Sequence, residues 1–276
     1  DLAVTMMAFK GYHDMAFGCW QIGLHIQPEK IAALAIQRVR GGWALRRWWL
    51  LPLPADFSTL SPSKTENALV AALSAWRREL PWQHAVSLAF PAHRTLQKTL
   101  PQAAMTLRDS EQAQWIASAM AQQVAMEPSA LCFDYQPNIQ AEGWIVTAAQ
   151  RKDVEPLQRI ARALRLHVTA ITPDACALRH FLPWLSHGAS GLAWQDDARW
   201  LWAGAAGWGS VLQAEASSLH QLSTRLAMPE LVRCTAQADA VSCFDPWSVI
   251  GQIQPPLPTD SDAFAIAIGL ALGAQA

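Results

Sequence analysis

The stretch that most constrains this chain begins at Trp20. Three strand-like runs, Trp20 to Ile26, Ile31 to Gln37 and Trp43 to Leu50, are joined only at Gln27-Pro28-Glu29 and at Gly41-Gly42. Connections this short join antiparallel neighbours, because parallel strands need a crossover of about a dozen residues or more. A loop holding Pro52, Pro54 and Pro62 leads to Ser63-Lys64-Thr65-Glu66, which reads as a capping box. Ala68, Leu69, Ala72, Leu73, Trp76 and Leu80 then recur at helical spacing, and the apolar run His84 to Phe90 reads as a fourth strand. Three strands, a helix and a strand form an α/β unit with antiparallel edges.

The next stretch changes rhythm. Arg94 to Leu100 reads as a strand, Asp109 to Met126 as a helix with Trp115, Ile116, Ala119 and Met120 inward, and Leu131 to Tyr135 as a strand, together an inserted module. The apolar strand Trp144 to Ala148 is expected to return to the core. It is followed by a helix carrying Val154, Leu157, Ile160, Ala161 and Leu164, by the strand His167 to Ile171, and by a helix start at Thr172-Pro173. Beyond Pro183 come the short strands Gly191 to Trp194 and Arg199 to Ala203, turning at Gln195-Asp196-Asp197. A Pro-rich stretch (Pro246, Pro255, Pro256, Pro258) precedes a helix over about Asp260 to Leu272, apolar nearly all round and therefore expected to be buried.

Composition excludes several classes. With 51% hydrophobic residues in 276, the chain is neither disordered nor a disulfide miniprotein. A net charge of -1 gives no global electrostatic case for nucleic-acid binding. The five cysteines, Cys19, Cys132, Cys176, Cys234 and Cys243, are odd in number and scattered, which fits a reducing cytoplasm. The longest apolar stretch, Ala263 to Ala274, falls well short of the roughly 20 residues a bilayer span needs. Residues 1–18, with possible starts at Met6, Met7 and Met15, read as a leader or expression remnant outside the fold.

Candidate chemistry is sparse. Lys64-Thr65 follows Ser63 rather than a glycine loop, and Gly204-Ala-Ala-Gly207-Trp-Gly209 reads as a bend between strands. Gly188-Ala-Ser190-Gly191 lacks the nucleophile-elbow spacing, and the eight histidines make no helical pair beside a carboxylate. Asp196-Asp197 reads as a turn. Arg38, Arg40, Trp43, Arg46 and Arg47 form a basic segment interleaved with aromatics, of a kind that binds single strands by stacking and phosphate contact. The reading favoured here is a surface hairpin whose arginines lie over tryptophan faces.

The order of elements is that of the actin-like fold, and particular stretches go further. Ala89-Phe90-Pro91-Ala-His-Arg94-Thr-Leu96, with Phe133-Asp134-Tyr135, resembles the inserted subdomain of the type IV pilus assembly protein family PilM, itself similar to the cell-division protein FtsA. Val146 to Lys152, Ile171-Thr-Pro-Asp174-Ala-Cys-Ala-Leu178 and the ending Phe264 to Gly273 resemble later parts of the same family. Trp20-Gln-Ile-Gly23-Leu-His25 and Phe244-Asp-Pro-Trp247 are most similar to its HofM branch, which serves DNA utilisation in enteric bacteria.

The resemblance implies an actin-like, ribonuclease H-like α/β fold of two domains. The first spans 19–90 and 143–182, the FtsA/PilM-type insert 91–142, a shortened second domain 183–258, and a buried C-terminal helix 259–276. It implies a cytoplasmic protein, peripheral to the inner membrane, that holds the tail of a PilN-type inner-membrane protein. Phe90, Arg94 and Leu96 border the expected tail-binding cleft between the first subdomain and the insert.

The family also binds ATP, through Asp-x-Gly-Ser in the first hairpin. Here Gln21 stands at the aspartate position and Leu24 at the serine position, with Gly23 retained, and no glycine lies between Gly209 and Gly251. The expectation is a degenerate phosphate loop, no cofactor and no catalysis. A Mg-ATP-dependent switch and direct single-stranded DNA binding through Arg38 to Trp49 are the alternatives. Seven of the fourteen tryptophans crowd into the hairpins 43–49 and 194–208, so apolar surface is expected there, covered by a partner or by self-association.

Overall fold

The computed structural model describes residues 18–103, 105, 107–138, 142–237 and 243–274; the expected leader lies almost wholly outside them. In chain order the elements begin with β1 (Trp20–Ile26), β2 (Lys30–Val39), β3 (Gly42–Pro52), α1 (Pro62–Glu79) and β4 (His84–Phe90). The first three strands are consecutive antiparallel neighbours, and β4 lies parallel to β1. α1 starts at Pro62, earlier than the Ser63 box implied, because proline at the first helical position costs no hydrogen bond. Its Leu69, Leu73 and Trp76 are buried at the expected spacing.

Next come β5 (Thr95–Leu100), α2 (Asp109–Val124), β6 (Leu131–Pro137), β7 (Trp144–Gln150) and α3 (Arg151–Ala163). Residues 93–159 form a compact unit of their own. Its sheet has the order β5-β7-β6, and this corrects the expectation that Trp144 to Ala148 rejoins the first sheet. β7 is the central strand of the insert, and Val146 and Ala148 pack with Leu100, Ile116, Met120 and Leu131. A short apolar run records that a strand is buried without recording in which sheet.

The larger unit holds residues 18–92 and 160–274. It continues with β8 (Val168–Pro173), α4 (Asp174–Ala177), β9 (Gly191–Gln195), β10 (Arg199–Gly204), β11 (Gly207–Leu212), α5 (Leu219–Leu226), β12 (Leu231–Cys234), β13 (Cys243–Phe244) and α6 (Ala265–Gly273). Its two five-stranded sheets, β3-β2-β1-β4-β8 and β11-β10-β9-β12-β13, share one topology. In each, a three-stranded antiparallel meander is followed by a helix and then by two parallel strands.

Among the described residues the second half therefore has as many strands as the first, although its domain was expected to be shortened. Its economy lies in element length: α5 has 8 residues against 18 in α1, and β13 has 2 against 6 in β8. The glycine cluster Gly204 to Gly207 is the β10–β11 turn, and Asp196 caps the β9–β10 turn by accepting from Ala198 N–H (2.8 Å) and Arg199 N–H (2.5 Å).

The tryptophan-rich hairpins are core. Trp43, Trp49, Trp194, Trp200 and Trp208 are buried while Trp48 and Trp202 are half-buried, so the hairpins carry less apolar surface than expected. Trp43, Trp194 and Trp208 share one cluster with Leu34, Ile36, Phe181 and the whole of α6, so a single core joins the facing sides of the two sheets. At roughly 1.5–3 kcal/mol for each fully buried large aliphatic, Ile266, Ile268, Leu270 and Leu272 make α6 a principal source of cohesion.

Candidate functional site

The protein's own groups converge on the space between the two five-stranded sheets. Gln21, Gly23 and His25 alternate along β1 and face α6, with Leu34 opposite Gly23 on β2. An ideal Cβ on Gly23 would lie 1.8 Å from the carbonyl oxygen of Ala267, so the helix backbone rests directly on this glycine. Gln21 is buried, and its Oε1 has no hydrogen-bond partner among the described residues. Leu24 points to the opposite face and is buried too. His25 lies edge-on to Trp194 of β9 with 5.7 Å between ring centroids, and burial lowers its pKa to about 3, so the imidazole is neutral.

The segment before α6 is tied to both sheets. From the first, Gln27 Nε2 donates to Ala263 O (2.9 Å), Lys30 pairs with Asp260, and Trp48 Nε1 donates to Pro256 O (3.3 Å). From the second half, Trp194 Nε1 donates to Asp262 O (2.9 Å) and Trp247 Nε1 to Ser261 O (3.1 Å). The Asp262 carboxylate accepts from the Thr235 hydroxyl (2.9 Å) and from Ala236 N–H (2.5 Å), just past the end of β12. Residues 256–263 thus act as a strap across the gap, and its indole and amide donors are paired. None of Gln27, Trp194, Thr235 or Asp262 stood out in the sequence, because each carries chemistry only through a partner distant along the chain.

A search of curated proteins places the chain. It is 43% identical over 260 residues, 94% of this chain and 99% of the relative, to the DNA utilization protein HofM of Escherichia coli (strain K12). The chain belongs to the HofM family.

No protein-family model matches it. Among solved structures, the PilM-PilN type IV pilus biogenesis complex is similar with a TM-score of 0.58 at 13% identity, covering 92% of this chain and 98% of that one. The cytoplasmic domain of EpsL, an inner-membrane component of the type II secretion system of Vibrio cholerae, gives 0.56 at 12% identity, covering 89% and 93%. Both likenesses concern the fold, which is actin-like and PilM-like, as the resemblance implied.

In this member of the HofM family the remaining candidate residues are dispersed. Arg38 lies over the Trp43 ring (5.0 Å to its centroid) and Arg47 over Trp49 (5.5 Å), so the two buried indoles present no free face for stacking. Arg47 also pairs with Glu79 (2.7 Å), whereas Arg40 and Arg46 are exposed. Phe90 is 1% exposed, while Arg94 and Leu96, in the other compact unit, are accessible, Leu96 to 40%. Asp174 is a buried carboxyl that accepts from Ala92 N–H (2.9 Å) and Ala175 N–H (2.7 Å). Burial outweighs those bonds and raises its pKa to about 6. Among the described residues no cluster of His, Cys, Asp and Glu is placed to hold a metal ion, and no helix is long and apolar enough to cross a membrane.

Proposed function

We propose that this chain is a non-enzymatic actin-like scaffold on the cytoplasmic face of a type IV pilus-like DNA-uptake apparatus, holding the cytoplasmic tail of a PilN-type inner-membrane protein. Membership of the HofM family supports the setting, through a relative named for DNA utilization. The observation that carries the non-enzymatic part is the filled space between the two sheets.

Mg-ATP needs oxygen ligands for a hydrated cation and open backbone donors for phosphate. Gln21 supplies no carboxylate, Leu24 supplies no hydroxyl, α6 covers Gly23, and Asp262 already takes the donors beyond β12. These residues do not fit the group, and no catalytic step is assigned to them.

The partner half of the reading is supported by the likeness in fold to a protein solved as a PilM-PilN complex. The accessible Arg94 and Leu96 are its nominated contacts.

Two measurements test the reading. Ligand at about 100 times its Kd stabilises a protein by about 2.7 kcal/mol, so millimolar Mg-ATP should leave the melting temperature unchanged if the site is closed. A rise of several degrees would overturn the non-enzymatic part. Calorimetry with a peptide of the partner's tail should show binding that weakens with Arg94→Ala and Leu96→Ala. No heat at high micromolar peptide would overturn the scaffold part.

A further inference from the structure

One end of the sheet β3-β2-β1-β4-β8 gathers arginine. The parallel strands β1, β4 and β8 all start there, with Trp20 opposite His84 and Val86 opposite Val168. β2 ends there and β3 begins there, since Gln21 faces Ile36 and Arg38 faces Trp43. α1 runs back to the same end, as does α3, and Arg77 ties the two by donating to the carbonyls of Leu164 (3.0 Å) and Arg165 (3.3 Å).

Five strands at about 4.8 Å spacing make an edge about 19 Å wide. The β2–β3 hairpin contributes Arg38, Arg40 and Arg46 to it, α1 contributes Arg77 and Arg78, and the end of α3 with the loop behind it contributes Arg162 and Arg165. In the loop before β4 stands Trp82, 94% exposed.

Part of this set has a structural task. Arg77 satisfies carbonyls at the end of α3, Arg38 covers Trp43, and Arg47 pairs with Glu79, which also accepts from the Trp49 indole (2.8 Å). Arg78 and Arg162 sit in last helical turns, where a cation is mildly favourable. That leaves Arg40, Arg46, Arg78, Arg162 and Arg165, all exposed and without an ion pair among the described residues. In a chain whose net charge is -1, this is a strong local polarisation. Helix-end electrostatics explains neither the hairpin arginines nor a bare tryptophan among them.

We propose that this end of the sheet rests on an anionic lipid surface, with Trp82 in the headgroup region and the five guanidiniums against lipid phosphates. Charge complementarity selects an anionic partner, and the aromatic geometry selects a bilayer. Single-stranded nucleic acid is held by successive bases stacking on open rings, but Trp43 and Trp49 are buried beneath arginines and Trp82 stands alone. A lone amphipathic indole beside basic side chains is what a membrane interface accommodates. The reading is independent of any partner tail, and it would add a direct lipid contact to a chain with no spanning helix among its described residues.

The test is flotation of the full chain with vesicles of phosphatidylethanolamine containing about 30% phosphatidylglycerol, whose anionic headgroups supply the attraction, compared with vesicles of phosphatidylcholine alone, which carry no net charge. Binding is expected to the anionic vesicles alone and should be lost near 0.5 M salt, where the Debye length shrinks to roughly 4 Å. Arg78→Glu with Arg162→Glu should weaken it by at least about tenfold, and Trp82→Ser by several-fold. Both changes are on exposed side chains, and each glutamate at a helix C-terminus should cost less than about 1 kcal/mol, so a cooperative transition only a few degrees lower shows that the variants are folded.

Failure of the folded wild-type chain to float would overturn the proposal, as would flotation indifferent to both variants. Binding of a single-stranded oligonucleotide through the same residues, without vesicle binding, would reassign the surface to nucleic acid and overturn it equally.

Discussion

Gly23 has no room for a side chain, because the carbonyl of Ala267 already occupies the place a Cβ would take. Gly23→Ala should therefore cost about 3 kcal/mol or more in urea unfolding, as α6 must shift off β1 or the strand must bend. Gly207→Ala is the control. Nothing lies within 4 Å of its Cβ position, and less than about 1 kcal/mol is expected. If the two variants were equally stable, α6 would not be seated as described. At this scale the sequence was a partial guide. Gln21 and Leu24 could be read as departures from a phosphate loop, but Gly23, taken for a survivor of that loop, is accounted for by helix packing. A single glycine is compatible with either cause, and only the neighbour 244 residues away along the chain decides between them.

Among the elements, those with a long periodic signal were legible and those without one were not. β1 to β4 and α1 follow from alternation, helical spacing and short turns. α5, β12 and β13 are too short to carry a clear period, β11 was hidden by the glycines Gly207 and Gly209 that read as a bend, and β7 was assigned to the wrong sheet because its apolar run fits any buried strand. The strap is a third case. Its irregular backbone has no pattern, and its order comes from side chains that both sheets send to it. The Thr235–Asp262 tie is the contact to probe. Asp262→Ala strands a buried hydroxyl and loosens Ala236 N–H, which should cost about 2–3 kcal/mol, and Thr235→Val about 1–2 kcal/mol. The double variant should lose less than the sum, by about 1 kcal/mol, because both changes remove one shared bond. Strict additivity in chemical denaturation would mean that the strap is held by its apolar contacts instead.

For the whole molecule, composition described sums while the fold set their distribution. The sparse, nearly neutral charge is polarised toward one sheet end, and among the tryptophans that implied open apolar surface Trp43, Trp194 and Trp208 build the core between the sheets. Buried titratable groups give the larger unit a stability that depends on pH in two opposing ways. His25, with a pKa of about 3 in the fold against 6.5 when free, contributes stability that is complete above 6.5 and is lost as pH falls toward 3. His84 and His180, lowered by the same cause, act in the same direction. Asp174, raised from 3.8 to about 6, contributes stability that is complete below 3.8 and is lost as pH rises toward 6. Between those bounds each group has a slope of about 1.4 kcal/mol per pH unit and opposite sign, so His25 and Asp174 nearly cancel. Asp174→Asn removes one side of the balance while keeping an oxygen acceptor for Ala92 N–H. The stability of this variant relative to wild type should therefore rise by about 1.4 kcal/mol per unit between pH 4 and 6 and stay flat above 6.5, as measured by urea unfolding across that range. A difference that did not change with pH would mean that Asp174 titrates at its ordinary value and that its site is open to water.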